Sequence, residues 1–495
     1  MIEHMNGKMK KLALAAMLAF TTIGAAQAEE KTDGLPLAAL EAAAKLREMA
    51  LAGSGAYDVV ESLTTEVGPR MAGSEADARA VAWAKAKFES FGFDKVYTEP
   101  VTFPKWVRER ETAQVLSPFP QKLMIAALGR SVGTGDAPVE AEVVQFATLA
   151  DLENAPEGSL IGKIAFVNNR MERFKDGHGY GPAVAARGRG ASVASRQGAV
   201  AFLLRSIGTD SDRFPHTGMT GYEEGVKPIP AAALSNPDAD LLANMLKRGQ
   251  PVKVQLDIDA AMAEEYESAN VIGEITGSEF PDEVVVIGGH LDSWDLGTGA
   301  IDDAAGVAIT MRAAALIAQL PQRPKRTIRV VAFANEEQGL FGGRAYAAAH
   351  GKPGELEKHL IGAESDFGAG RIYAFSTSAV PPEAEAVVRQ IAQALAPLDI
   401  EYTPGKGGPG PDLGPISRTG MAWAALQQDG TDYFDYHHTA NDTLDKVEAA
   451  ALDQNVAAYA VFAYLAAQSE VGFGSKYTEP KPFTFGAPPS KPAKK

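Results

Sequence analysis

Apolar residues recur every three or four positions in three stretches near the N-terminal end of the chain, and most of these stretches end close to a glycine. This spacing places the apolar side chains on one face of a helix. The pattern therefore predicts amphipathic helices at Pro36–Leu51, Ala56–Val67 and Ser74–Phe91. Two runs rich in β-branched and aromatic residues follow, and they predict strands at Val96–Val101 and Trp106–Leu116.

The pattern changes between about residues 118 and 262, where short apolar runs alternate with helical segments. The predicted strands are Val139–Phe146, Lys163–Val167, Gly198–Leu204 and Val252–Ile258, and the predicted helices are Ala183–Arg196 and Ser235–Lys247. Since this block separates two parts that together make one α/β unit, we interpret residues 118–262 as an inserted α/β domain. We expect it to border a site rather than to supply metal ligands.

A strand–helix–strand rhythm follows the block, and it is typical of an α/β fold whose sheet is flanked by helices. The predicted strands are Val271–Ile275, Val284–Ile287, Thr327–Ala334, Leu360–Asp366 and Met421–Leu426. The predicted helices are Ala304–Leu320, Gly342–His350, Pro382–Ala396 and Ala449–Gln468. Residues 29–117 and 263–474 are thus expected to form the main domain, and the Pro- and Lys-rich residues 475–495 a disordered tail.

The N-terminus has the three-part order of a signal peptide. Three lysines, Lys8, Lys10 and Lys11, precede the apolar run Leu12–Ile23, and an Ala-Gln-Ala sequence ends at Ala28. The run falls short of the roughly 20 apolar residues that span a bilayer. We therefore expect residues 1–28 to be removed and the protein to be exported, to a periplasm or outside the cell. No later stretch predicts a membrane span.

The amino-acid composition and net charge of the chain argue against several classes of function. The chain has 495 residues, of which 45% are hydrophobic and 22% charged, as in soluble globular proteins. Its formal net charge of −16 argues against nucleic acid as a partner, because phosphates are held by clustered Lys and Arg. The sequence contains no cysteine, so neither disulfides nor a thiol nucleophile can contribute.

Histidines and carboxylates follow the ends of the predicted strands and two nearby loops. They are His290, Asp292, Asp302, Glu336, Glu337, Asp366 and His438. Each one alone is explained equally well by packing, helix capping or a hydrogen-bonded pair. Together they meet at the carboxyl edge of an α/β sheet, where such sheets place their sites. So dense a set of carboxylates needs cations, and mixed imidazole and carboxylate ligands suit zinc, with cobalt or manganese as substitutes.

In this order the motifs resemble the di-zinc exopeptidases of metallopeptidase family twenty-eight. The motifs are His290-Leu291-Asp292-Ser293-Trp294-Asp295, Asp302-Asp303, Arg323-Pro324-Lys325-Arg326-Thr327, Glu336-Glu337-Gln338-Gly339, Glu364-Ser365-Asp366 and His437-His438. The resemblance extends from about residue 40 to 468. It implies a mixed sheet flanked by helices, as in zinc aminopeptidases, and a protease-associated-like identity for the insert.

The resemblance also implies a role for each ligand. Asp302 would bridge two zinc ions; His290 and Asp366 would complete one site, and Glu337 and His438 the other. Glu336 would act as general base toward a water between the metals, and Asp292 would orient the ring of His290. The family often has a cis peptide after the bridging aspartate, here between Asp302 and Asp303.

The remaining assignments concern groups that would contact the substrate. His437 is a candidate donor to the oxyanion, with Tyr436 as its rival. Asp412 could bind a free amino group and Arg418 a free carboxylate, and each is equally well interpreted as a surface residue.

The expected function is hydrolysis of short peptides or dipeptides, as an aminopeptidase, a carboxypeptidase or a dipeptidase. A homodimer is expected from the resemblance alone. Two alternatives are a non-catalytic, receptor-like relative and an aminoacyltransferase related to glutaminyl cyclases. The complete ligand set argues against the first, and the second typically binds one zinc.

Overall fold

The computed structural model describes residues 34–480, so the predicted signal peptide and residues 481–495 lie outside the described residues. Its α-helices are α1 (Leu37–Leu51), α2 (Ala56–Ser62), α3 (Glu75–Ser90), α4 (Leu149–Glu153), α5 (Tyr180–Arg196), α6 (Asn236–Leu246), α7 (Ala305–Ala318), α8 (Phe341–His350), α9 (Glu385–Leu395), α10 (Gly414–Ser417), α11 (Tyr433–Tyr436) and α12 (Ala449–Gln468). The main predicted helices are therefore present, within a few residues of their expected ends.

The strands are β1 (Lys95–Ser117), β2 (Gln121–Leu123), β3 (Ile125–Ala127), β4 (Val139–Phe146), β5 (Lys163–Val167), β6 (Ala201–Arg205), β7 (Ala231–Leu234), β8 (Lys253–Ile275), β9 (Phe280–His290), β10 (Arg326–Phe333), β11 (His359–Glu364), β12 (Ile372–Thr377), β13 (Glu401–Tyr402) and β14 (Ala424–Gln428). The large sheet has the order β11-β9-β10-β8-β4-β5-β6-β7-β3, and β1 pairs with β8 and β2. Strands β9, β10 and β11 are parallel, whereas β8 runs antiparallel to β10. This is the mixed sheet that was predicted.

A long antiparallel ribbon of β1 and β8 joins the two halves of this sheet. Its register extends from Lys95 opposite Glu274 to Ser117 opposite Lys253. The prediction of separate strands at 96–101 and 106–116 is wrong, because β1 continues through the irregularity near Pro104. Pro104 explains the predicted break, because proline cannot donate to a strand ladder, but the pairing only shifts its register between Pro104 and Trp106 and then continues.

The segment between the two ribbon strands forms its own α/β layer. Strands β4, β5, β6 and β7 are parallel to one another, α5 packs on one face and α6 on the other. The face under α5 is continuous with the core of the main domain. The assignment of this layer as a protease-associated-like domain stays a prediction.

Helices α7 and α12 form the centre of the main domain. Nearly every residue of both helices is buried, and they pack against each other and against β9 and β10. The chain after α12 stays packed past the start of the predicted tail, since the N–H groups of Lys476 and Thr478 donate to the carbonyls of Gly420 and Thr419. Among residues 34–480, no helix combines the length and apolarity needed to cross a bilayer.

Candidate metal centre

Three parallel strands deliver their following residues to one edge of the sheet. β9 ends at His290, Glu336 and Glu337 follow β10, and Asp366 follows β11. Asp302 lies in the turn Ala300–Ala304, which opens the buried helix α7. A loop after α11 brings His438 to the same place, in the left-handed region at a φ of 63°.

The five predicted ligands form two groups that share Asp302. Its Oδ1 lies 3.0 Å from Nε2 of His290, which lies 3.5 Å from an oxygen of Asp366. Its Oδ2 lies 3.4 Å from Nε2 of His438, which lies 2.9 Å from an oxygen of Glu337. Ligand atoms on one tetrahedral zinc are about 3.3–3.6 Å apart, and these four separations lie within or somewhat below that range. Spacing that could hold a metal ion also joins Asp302 with His437 and His438, His290 with Asp302 and Glu337, and His290 with Asp303 and Asp366.

The unsatisfied atoms of the cluster indicate cations. Oδ2 of Asp302 and Oε1 of Glu337 are buried without a hydrogen-bond partner. Burial raises the pKa of Glu337 well above its usual value, and the nearby carboxylate of Asp302 raises it further. Burial lowers the pKa of His290, but Asp366 and its neighbours raise it well above the usual value overall. Zinc ions would supply the positive charge that these groups need, and the donor set fits them.

The turn that carries Asp302 is held by two further carboxylates. Asp442 accepts hydrogen bonds from the N–H groups of Ile301, at 2.7 Å, and Asp302, at 3.3 Å. Asp303 accepts from the N–H groups of His290 and Gly306. The peptide bond between Asp302 and Asp303 is cis, as the resemblance implied.

Glu336 differs from Glu337 in its surroundings. It is partly exposed, while Glu337 is buried against His438. Burial, together with the charges of Asp366 and Asp292, raises the pKa of Glu336 well above its usual value. A carboxylate that lies beside the ligands and holds a proton readily can serve as an acid or a base.

Asp292 does more than orient a histidine. Its carboxylate lies 3.6 Å from Nδ1 of His290, whereas its backbone oxygen lies at 3.0 Å from the same atom. The carboxylate instead accepts hydrogen bonds from the N–H groups of Glu336 and Glu337. Asp292 therefore ties the end of β9 to the turn after β10.

His437 lies inside the centre, next to a ligand. Its ring stacks on that of His438 with centroids 3.5 Å apart, and its Nε2 lies 3.7 Å from Oδ2 of Asp302. Burial and the charge of Arg187 lower its pKa well below the usual value, so the ring is neutral. Its Nδ1 is buried without a partner.

The structure puts a different tyrosine beside the ligands from the one expected. Tyr436 is partly exposed and lines a cavity with Lys446 and Tyr433. Tyr433 is buried beside Asp302, and burial and that carboxylate raise its pKa well above the usual value. The two tyrosines are one helical turn apart in α11, and each is followed by an aromatic residue in the sequence. The sequence therefore did not show which of them lies beside the ligands.

A cavity of about 500 Å³ opens beside Asp366. Phe367, Tyr373, Leu426 and glycines of the loop 407–410 line it. Neither Asp412 nor Arg418 is in its lining. Asp412 is fully buried and caps α8 through the N–H of Gly343, and Arg418 is exposed at the end of α10.

Sequence reasoning expected the segment between β1 and β8 to border a site, but it did not identify which of its residues do so. The carbonyl of Thr217 lies 3.2 Å from Nδ1 of His438, and the ring of His216 lies 2.7 Å from the carbonyl of His437. Tyr180 contacts the ring of His437 edge-on, and Arg187 contacts Tyr180. The sequence contained one indication of this contribution. Arg187 is an arginine among small residues in a helix that has many buried positions.

Comparison with known proteins agrees with this geometry. Residues 270–463 match peptidase family M28. A carboxypeptidase Q from Xenopus laevis is 36% identical over 418 residues, which cover 84% of this chain and 86% of that protein. The crystal structure of a peptidase M28 precursor from Shewanella amazonensis SB2B is 52% identical, with a TM-score of 0.86, and covers 90% of this chain and 99% of that one.

A zinc aminopeptidase from Bacillus subtilis shares the fold at 20% identity, with a TM-score of 0.58 over 86% of this chain and 98% of that one. The predictions of a mixed α/β fold and of a zinc metallopeptidase are thus confirmed. The relatives and the site together establish that the chain belongs to peptidase family M28.

Proposed function

We propose that the protein is a di-zinc exopeptidase that hydrolyses dipeptides or other short peptides. The observation that carries this proposal is the position of Asp302, whose two oxygens each face a different histidine. A single tetrahedral zinc cannot use five ligands arranged in this way. His290, Asp302 and Asp366 would hold one ion, and Asp302, Glu337 and His438 the other.

When bound, the two zinc ions would polarise the scissile carbonyl and acidify the attacking water. Glu336 accepts the proton of that water and donates it to the leaving amine. Its partial exposure and raised pKa suit both steps, because the group must reach the substrate and hold a proton in turn. Asp292 holds the backbone of Glu336 in position.

His437 is the candidate donor to the oxyanion. Its neutral ring can donate from one nitrogen, and Tyr433, whose ring centroid lies 5.1 Å from that of His437, offers a second donor. The loop around Thr217 covers His438, so access to the centre is limited on that side. This cover favours short peptides, and the cavity beside Asp366 offers room for one side chain.

Two names among the compared proteins, carboxypeptidase Q and aminopeptidase, differ in which end of a peptide is removed. Both are exopeptidases, which supports the class but leaves the polarity open. We include export in the proposal, on the signal sequence that ends at Ala28.

The test is a zinc titration of metal-free protein with hydrolysis of unblocked dipeptides as the readout. Turnover should rise until about two equivalents are bound, and peptides blocked at both ends should stay intact. Full activity at one equivalent, or cleavage of doubly blocked peptides, would contradict the proposal.

A further inference from the structure

The candidate ligand His438 has a backbone conformation that needs support. Its φ of 63° places it in the left-handed region, where residues with a side chain are rarely found. Such a conformation persists only when the surrounding structure holds it. The hydrogen bonds of residues 437 and 438 show which part of the chain does so.

The support comes from residues 206–217, in the segment between β1 and β8, which we call the strap. The N–H of Thr217 donates to the carbonyl of His438 at 3.1 Å, and the carbonyl of Thr217 lies 3.2 Å from Nδ1 of the His438 ring. Nδ1 of His216 lies 2.7 Å from the carbonyl of His437 and donates to it, because a carbonyl can only accept. Two adjacent residues of the strap thus fix both the backbone and the ring of the candidate ligand.

His216 is itself held in a fixed position. Its N–H donates to the hydroxyl of Ser206 at 2.8 Å, directly after β6, and its Nε2 lies 2.7 Å from the carboxylate of Asp210. That carboxylate also accepts from the side-chain amide of Asn236, the first residue of α6. His216 is 1% exposed, and its ring lies so close to Gly208 that a Cβ there would be 2.2 Å away. The strap therefore connects the ligand loop to the α/β layer of its own segment.

The ligands of the other group are held by the main domain instead. His290 ends β9, Asp366 follows β11, and Nδ1 of His290 lies 3.0 Å from the backbone oxygen of Asp292. Among residues 34–480, no hydrogen bond joins the strap to His290 or Asp366. A histidine that binds zinc through one ring nitrogen is oriented by an acceptor at the other, and loss of such a partner commonly lowers metal affinity by about 10–100-fold. For His438, this acceptor belongs to the strap.

Resting on the proposed function, we infer that the zinc ion of the group that contains His438 binds tightly only while the strap is docked on the ligand loop. His216 is a positioning residue, because it acts by holding the carbonyl of His437. The zinc ion of the group that contains His290 does not depend on it. Docking of the segment between β1 and β8 is thereby coupled to the occupancy of one metal site, and zinc at that site in turn stabilises the docking.

Two variants of His216 separate this hydrogen bond from packing. In His216→Asn the side-chain amide lies near the position of Nδ1 and still donates to the carbonyl of His437, although the side chain is smaller. In His216→Gln the amide lies near the position of Nε2, so the donor to His437 is lost although the space stays filled. We expect His216→Gln to lower the affinity for one of the two zinc ions by about 10–100-fold, and His216→Asn to lower it by much less.

Competition with a coloured chelator on the full chain measures both affinities without any substrate. The affinity for the other zinc ion should stay at the wild-type value in both variants. In the background of Glu337→Gln, which should already lack the second ion, His216→Gln should change nothing further. His178→Gln is the matched control, because His178 lies exposed in the same segment.

Three results would overturn the inference. They are wild-type affinity for both ions in His216→Gln, equal weakening of both ions, and a larger loss in His216→Asn than in His216→Gln, which would indicate packing. If His216→Gln does not fold, Ser206→Ala removes the acceptor of the His216 N–H more gently and should still weaken one ion alone. A protein that binds two zinc ions, one of them dependent on the strap, but hydrolyses no peptide would refute the peptidase function and leave this inference standing.

Discussion

The carboxylate of Asp292 accepts a hydrogen bond of 3.0 Å from the backbone N–H of Glu336. The same side chain accepts from Glu337 and lies beside the ring of His290. One buried carboxylate therefore sets the relative positions of the candidate base, a ligand of one metal and a ligand of the other. Geometry of this kind explains why a residue that touches no substrate can control turnover.

Replacing Asp292 with alanine should disturb both metal binding and catalysis. Two buried N–H groups lose their acceptor, and the turn after β10 is no longer fixed to β9. We expect zinc affinity and kcat each to fall by about 10–100-fold, as for other residues that support metal ligands. Asp292→Asn retains one acceptor oxygen and should be milder. Zinc competition with a coloured chelator and steady-state kinetics measure the two effects, and a wild-type affinity in Asp292→Ala would contradict this role.

Glu336 and Glu337 should give opposite phenotypes although they are adjacent. Glu336→Gln should bind both zinc ions and lose about 10²–10⁴-fold in kcat, because the proton acceptor is gone. Glu337→Gln should lose one zinc as well as activity, because Glu337 contacts His438. Elemental analysis alongside kinetics distinguishes them. If the metal were lost from Glu336→Gln instead, the roles of base and ligand would be exchanged.

The metal ligands could be predicted because their positions follow from local pattern and sheet geometry. His290 and Asp366 directly follow apolar strands, and parallel strands bring their carboxyl ends to one edge. The partners of these ligands could not be predicted in the same way. Tyr180, which accepts a hydrogen bond from Arg187, contacts His437 only because the segment between β1 and β8 folds back against a loop far away in the sequence. No periodicity in the chain encodes that contact.

The sequence also did not show which side chains of the substrate-binding candidates are buried. Asp412 and Arg418 both lie in or next to a glycine-rich loop, and the composition of a loop does not say which side chains turn inward. Asp412 turns inward to cap α8, and Arg418 turns outward. Tyr433 and Tyr436 lie one turn apart on a short helix. The sequence does not show which of the two side chains is oriented toward Asp302.

Removing the metals should destabilise the fold. The buried carboxylates would then repel one another, and the free energy of zinc binding would be lost from the folded state. Ligand at a hundredfold excess over its Kd contributes about 2.7 kcal/mol, so two sites contribute about 5 kcal/mol. Calorimetric scans with and without chelator should show a clearly lower Tm for the metal-free protein. An unchanged Tm would mean that the centre is not occupied under those conditions.

His359 should make the fold sensitive to acid at a site remote from the metals. It is buried between the hydroxyl of Tyr346 and the carbonyl of Glu355, and burial with the charge of Arg329 lowers its pKa to about 3. Above its unfolded pKa of 6.5 the ring is neutral in both states and has no effect. As the pH falls from 6.5 toward 3, only the unfolded chain takes up a proton, so the folded state loses stability.

At pH 5 this loss amounts to about 2 kcal/mol. His359→Gln, although less stable at neutral pH, should lose about that much less between pH 7 and pH 5 than the wild type does. Denaturant titrations at both pH values measure the difference. His178→Gln is the control for removal of a histidine as such, because His178 is exposed and lies outside the contacts of His359. Parallel pH profiles for wild type and His359→Gln would refute the prediction.

Arg70 should be required for tight metal binding although it contacts no ligand side chain. Its guanidinium is fully buried and donates to the carbonyls of Leu291, Thr298 and Gly299. These carbonyls lie directly after His290 and directly before the turn that carries Asp302, so one side chain holds the two segments at a fixed separation.

A lysine has a single ammonium group and cannot serve three carbonyls in a plane, and methionine serves none. We therefore expect zinc affinity to fall by about tenfold in Arg70→Lys and by more in Arg70→Met, because second-layer contacts commonly have effects of 10–100-fold. Arg79→Lys, on the exposed face of α3, provides a control. Since loss of a buried cation can also lower stability, Tm is measured on metal-free samples, so that weaker zinc binding is separated from unfolding. Full zinc affinity in a folded Arg70→Met protein would show that the turn holds Asp302 in place without this clamp.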